Sequence, residues 1–136
     1  STAKIIIINL VGVSTDGSSP LQIQLGDAGG VETSGYISAN GIISAASAAC
    51  TNATSGFVFS NGVGSAFIMS GSVILTCENS AAFTWVCNGS IARTESTQLF
   101  LTAGSKSTSQ ALDRVRITTV NGTDAFDAGE INIMYQ

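Results

Sequence analysis

The sequence predicts an all-β chain, an antiparallel β-sandwich of jelly-roll-like form with about eight to ten strands and little helix. Three observations predict it. Gly, Ser and Thr supply roughly a third of the 136 residues while only 10% are charged, a balance that favours short strands and turns over helices. Apolar residues recur at every second position in one segment after another, and clusters of Gly, Asn, Asp and Ser separate those segments. Neither helix–strand alternation nor an internal repeat interrupts this pattern. The length suits one domain, residues 1–136, with a core of its own.

The elements follow in order. Residues 4–13 (KIIIINLVGV) are apolar without alternation, the pattern of a strand covered on both faces or lying at a subunit contact. Ile5, Ile7 and Val11 share one side, and Ile6, Ile8 and Leu10 the other. A sandwich strand has one inner face, so one set needs a cover, and Ile6, Ile8 and Leu10 are expected to form an oligomer contact. Asp16-Gly17-Ser18-Ser19-Pro20 breaks the run. In residues 21–25, Leu21, Ile23 and Leu25 face the core and Gln22 and Gln24 face out. A turn at 27–30 leads into 31–38, where Tyr36 is the one large side chain.

Residues 39–55 (ANGIISAASAACTNATS) read as an irregular excursion with at most a short helical turn, because Ser, Thr and Asn interrupt the alanines and no caps bound them. Strands are expected at 57–60, at 66–77 with a bulge or bend at Gly71, at 83–92 and at 98–102, followed by a polar connection over 104–109. Residues 111–120 and 130–135, joined through Asn121-Gly122-Thr123-Asp124, read as a closing β-hairpin with a wide loop. It would place Val115, Ile117, Ile131 and Ile133 in the core beside Leu21 and Ile23.

The chemistry is read mainly from what is missing. Without His there is no Ser–His or Cys–His nucleophilic site and no His-based zinc site. No G-x-S-x-G, phosphate-loop or EF-hand pattern appears. Asp113, Asp124, Asp127 and Glu130 are the carboxylates that could pair for glycoside hydrolysis, or gather with Asn121 around calcium. The plainer reading has them satisfying turn N–H groups and meeting solvent. The expectation is a protein that is not an enzyme and has no cofactor or metal.

A net charge of −4, with five basic residues scattered except for Arg114 and Arg116, argues against nucleic acid as a partner. No apolar run approaches the ~20 residues of a membrane-spanning helix, and residues 4–10 are too short for a signal peptide. Ser1 fits either loss of an initiator Met or the start of a fragment. Cys50, Cys77 and Cys87 are odd in number. Cys77 and Cys87 could face each other across a turn, although buried free thiols are the plainer reading. Trp85 is either a core aromatic or a platform for a sugar. Of Arg114 and Arg116, one is expected to pair with Asp113 or Glu130 across the sheet and the other to be solvated, or both touch a glycan or a neighbouring subunit. Tyr36 joins them as a contact candidate. Three sequons, at Asn52, Asn88 and Asn121, are close to the number this Ser- and Thr-rich composition yields by chance.

Two stretches carry a resemblance. The segment R-V-R-I from Arg114, followed by G-T-D-A-F-D-A-G-E-I-N-I-M-Y from Gly122 to Tyr135, and the run LQIQLGDAGGVETSGY from Leu21 to Tyr36, resemble a β-domain at the C-terminal ends of bacteriophage tail-fibre, tail-spike and related virion proteins. The resemblance implies a structural protein of the virion. As the distal domain of a tail fibre or spike it would serve host-surface recognition or trimer closure. A capsid decoration or head-fibre protein and a lectin-like carbohydrate-binding module are the alternatives. The implied partners are further copies of the chain in a homotrimer, other virion proteins and a host-surface glycan.

Overall fold

The computed structural model describes residues 3–60 and 64–136. Its strands are β1 (Ile5–Thr15), β2 (Leu21–Asp27), β3 (Gly30–Val31), β4 (Ile37–Ser44), β5 (Ala48–Ala53), β6 (Phe57–Val58), β7 (Met69–Asn79), β8 (Thr84–Arg93), β9 (Gln98–Ser107), β10 (Arg114–Thr119) and β11 (Phe126–Tyr135). A seven-stranded sheet runs β11-β1-β7-β8-β9-β4-β5, and a smaller sheet runs β10-β2-β3 with β6 also on β2. Every pairing is antiparallel. The described residues contain no helix, and the two sheets form an antiparallel sandwich.

Period-two alternation builds the core between them. Ile6, Ile8 and Leu10 of β1 and Val73 and Leu75 of β7 meet Leu21, Ile23 and Leu25 of β2 in one apolar cluster that also holds Trp85, Ile91 and Phe100. Each such side chain, fully withdrawn from water, contributes about 1.5–3 kcal/mol. Ile6, Ile8 and Leu10 are therefore core residues and not the oligomer contact expected of them. The set that points away from the core is Ile5, Ile7 and Val11. Continuous hydrophobicity announces two apolar faces, but it does not say which of them the second sheet covers.

The closing segments do not form a hairpin. β10 pairs with β2 and β11 pairs with β1, so the two arms lie in different sheets. Residues 16–20 and 120–125 are adjacent corners, and there the β1–β11 ribbon folds over to continue as the β2–β10 ribbon. Backbone bonds from Asp16 to the Ala125 carbonyl, 3.0 Å, and from Val120 to the Pro20 carbonyl, 2.8 Å, hold the corners together. Of the six expected core positions, Leu21 and Ile23 are fully buried, and Val115, Ile117 and Ile131 pack against the core half-buried. Ile133 is 44% exposed, because the seven-stranded sheet extends past its smaller partner at β11.

Four further expectations are corrected. Residues 39–55 contain a regular hairpin, β4 and β5, closed by Ser44 and Ser47. β9 continues through the supposed polar connection to Ser107, where buried Lys106 pairs with Glu32. Gln22 and Gln24 point off the core face as expected, yet they are buried beneath Ser55 and Arg116. The bulge falls in β1, where the register slips between Leu10 and Val13 opposite Gly71 and the Gly12 N–H bonds Ser70 Oγ at 2.9 Å.

Candidate functional site

Tyr36 and Trp85 offer no surface to a ligand, and each is only 2% exposed. The Tyr36 hydroxyl accepts the Leu25 N–H at 2.6 Å and donates to the Glu32 carbonyl at 3.0 Å. Its ring meets Phe57 edge-on at 5.1 Å, and burial pushes its pKa up to about 12. Trp85 stands on the inner face between Cys77 and Lys106. Both anchor the core.

Arg114 and Arg116 are exposed on the outer face of the small sheet. Arg114 forks onto the adjacent Asp113, at 2.6 and 2.9 Å, and that guanidinium holds the Asp113 carboxyl below the usual range. Arg116 reaches the side-chain oxygen of Gln24. The four candidate carboxylates are dispersed. Asp113 immediately precedes β10, Asp124 lies in the corner on Asn121 and Ser19, and Asp127 and Glu130 are exposed along β11. The described residues bring no three His, Cys, Asp or Glu side chains together. Cys77 lies opposite Trp85 and Cys87 opposite Leu75, so these thiols are out of register, and all three cysteines are free.

The broadest feature is the outer face of the seven-stranded sheet. One row crosses it as Met134, Ile7, Ile74, Asn88, Ala103, Ala39 and Asn52. The next is Asn132, Asn9, Ser72, Ser90, Leu101, Gly41 and Cys50. Flanking rows add Ile5, Thr76, Val86, Ser105 and Ile37 on one side and Ser70, Ala92, Leu99, Ile43 and Ala48 on the other. None of these residues carries a charge, and the acidic side chains of the same parity, Glu130 opposite Val11 and Glu78 near the end of β7, stand at the margins. Asn9 and Ser72 bond each other at 2.6 Å, which occupies polar groups within the face. Large apolar side chains stand in the open, with Ile37 at 75% exposure and Ile43, Ile74, Val86 and Leu101 also exposed.

On the opposite, inner side of β11 an open cleft of about 490 Å³ lies toward the small sheet, lined by Ile6, Ile133 and Tyr135 with Leu112, Asp113, Arg114 and Val115. Sequence reasoning missed the uncharged face because it is assembled from alternate residues of seven strands, and the pairing that makes them neighbours is set by tertiary structure. The signal available was the scarcity of Asp, Glu, Lys and Arg in one parity of successive strands, which only Glu78 in β7 and Glu130 in β11 break. No protein-family model, curated protein or solved structure matches this chain.

Proposed function

We propose that this chain is a structural domain of a bacteriophage virion that works by packing against copies of itself. The observation that carries the reading is the outer face of the seven-stranded sheet, whose central rows carry no charge. At about 4.8 Å per strand and 3.3 Å per residue such a face covers on the order of 800 Å², the area each partner contributes to a standard protein interface. Identical copies of it meet without like-charge repulsion, and its exposed Ile, Leu and Val supply apolar burial. A homotrimer at the distal end of a tail fibre or spike is the arrangement that the resemblance in residues 21–36 and 114–135 implies, with other virion proteins as neighbours.

Light scattering of the chain at micromolar concentration tests it. Ile74→Asp and Leu101→Asp lie on the outer face and are expected to convert the oligomer to monomer while strand content by circular dichroism is unchanged. A wild-type chain that is monomeric under those conditions would overturn the reading.

A further inference from the structure

Three cations pair with carboxylates: Arg93 with Glu95, Lys106 with Glu32 and Arg114 with Asp113. Arg116 is held by a neutral group instead. Its Nε donates to Gln24 Oε1 at 2.9 Å, and one terminal nitrogen donates to the same oxygen. An amide oxygen orients a guanidinium without cancelling its charge. That amide is itself fixed, because Gln24 is buried and its Nε2 donates to the Ser55 carbonyl at 2.8 Å. Beside it, Gln22 accepts the Ser55 hydroxyl at 3.1 Å and donates to the Thr119 carbonyl at 3.4 Å. Two locked amides thus form a rigid floor, and one edge of the guanidinium is spent on it. The remaining N–H groups of Arg116 have no carboxylate to meet.

The guanidinium borders a groove of about 270 Å³ lined by Gln22, Gln24, Thr33, Ser55, Arg116 and Thr118, with no Asp or Glu in its walls. It lies on the outer face of the small sheet, away from the surface assigned to self-association. We propose that this groove binds a carboxylate carried on a hydroxyl-rich ligand, that is, an acidic sugar such as a hexuronate. The unused edge of the guanidinium matches a carboxylate in two parallel hydrogen bonds. The Thr33 and Thr118 hydroxyls can both donate and accept, as ring hydroxyls require, and the Ser55 hydroxyl, whose proton goes to Gln22, can accept. With a net charge of −4, the molecule does not draw anions from a distance, so recognition depends on this local geometry.

NMR titration of the full chain at fixed ionic strength with sodium D-glucuronate, sodium acetate and D-glucose tests the proposal. Glucuronate is expected to shift the Arg116 Nε–H and Gln24 side-chain amide resonances to saturation. Acetate lacks the hydroxyls and glucose lacks the carboxylate, and each is expected to bind at least about tenfold more weakly. Arg116→Gln should lose roughly tenfold or more in glucuronate affinity with its backbone spectrum retained. Arg116→Lys keeps the charge without the fork and should also bind more weakly than wild type. The proposal is overturned by the absence of a saturating shift with glucuronate, by equal affinity for acetate, or by unchanged affinity in either variant. Light scattering on the same samples reports self-association separately, so failure of one reading leaves the other standing.

Discussion

The Asp124 carboxylate accepts the backbone N–H of Ser19 at 2.8 Å across 105 positions of sequence. It also takes the Asn121 side-chain amide at 2.6 Å, and Gly17 lies so close that an added Cβ would fall on the carboxylate. This contact fastens the two corners where the β1–β11 ribbon folds over into the β2–β10 ribbon, so Asp124 serves the sandwich architecture. Asp124→Ala leaves the Ser19 N–H and the Asn121 amide without their acceptor. The expected outcome is a lower thermal midpoint with the strand signal in circular dichroism retained.

Acid should weaken the fold. The Asn121 amide, then the Ser19 N–H, hold the Asp124 carboxyl below the usual carboxylate range. The Ser109 hydroxyl, at 2.7 Å, and the Gly29 N–H do the same for Asp27. A depressed carboxyl favours the folded state above its unfolded value near ~3.9, and that contribution disappears as pH falls through the lower folded value. Urea midpoints measured from pH 7 down to pH 2 are expected to fall below about pH 4, and Asp27→Asn should flatten the decline. An unchanged slope in that variant would show the carboxyl to be uninvolved.

The correction at β1 and β11 is measurable by paired substitutions. Ile8 is fully buried and Ile133 is 44% exposed, although the two sit opposite each other in register. Ile8→Ala is expected to cost about 2–5 kcal/mol and Ile133→Ala within about 0.5 kcal/mol in the monomer, both from chemical denaturation. Similar costs would mean that the β11 end is covered as well as the β1 centre.

Gly129 holds the close approach of β11 to the β1 bulge. Its φ is +85° and that of Gly12 is +64°, and a Cβ on Gly129 would lie 2.4 Å from the Gly12 carbonyl. Both the left-handed backbone and the contact exclude a side chain. Gly129→Ala is expected to destabilise by about 1–3 kcal/mol in the same assay, whereas Gly122→Ala, with open space around it, pays mainly for its φ of +70° and should cost less.

The three thiols should separate by reactivity. Burial pushes the Cys87 thiol up to about 12, while Cys50 is exposed on the outer face of the large sheet. Iodoacetamide on the native chain, followed by peptide mass spectrometry, is expected to label Cys50 first and Cys87 only after unfolding. The folded state holds the Cys87 proton more tightly than the unfolded chain, for which the thiol value is ~8.5. Its contribution is therefore intact below that value and is lost as pH rises toward 12.

Much was legible in the sequence, by a local rule. Alternation at period two marks a strand with one dry face wherever its residues differ in polarity, which is why Leu21, Ile23, Val115 and Ile117 could be assigned to the core and why the turn residues at 16–20 and 27–30 fell between strands. That rule is silent where both faces are alike. β5 is exposed almost throughout, so its Ala, Thr and Asn carry no contrast and read as a loop. β1 is apolar on both sides, so its two faces were found but exchanged. Pairing lies further out of reach, because β10 and β11 are neighbours in sequence yet each gains more by joining a strand some 90 to 130 positions away than by joining the other. Only the tertiary structure, by folding the ribbon over its corners, decided which apolar face became core, which became an outer surface with uncharged central rows, and that Arg116 would meet an amide in place of a carboxylate.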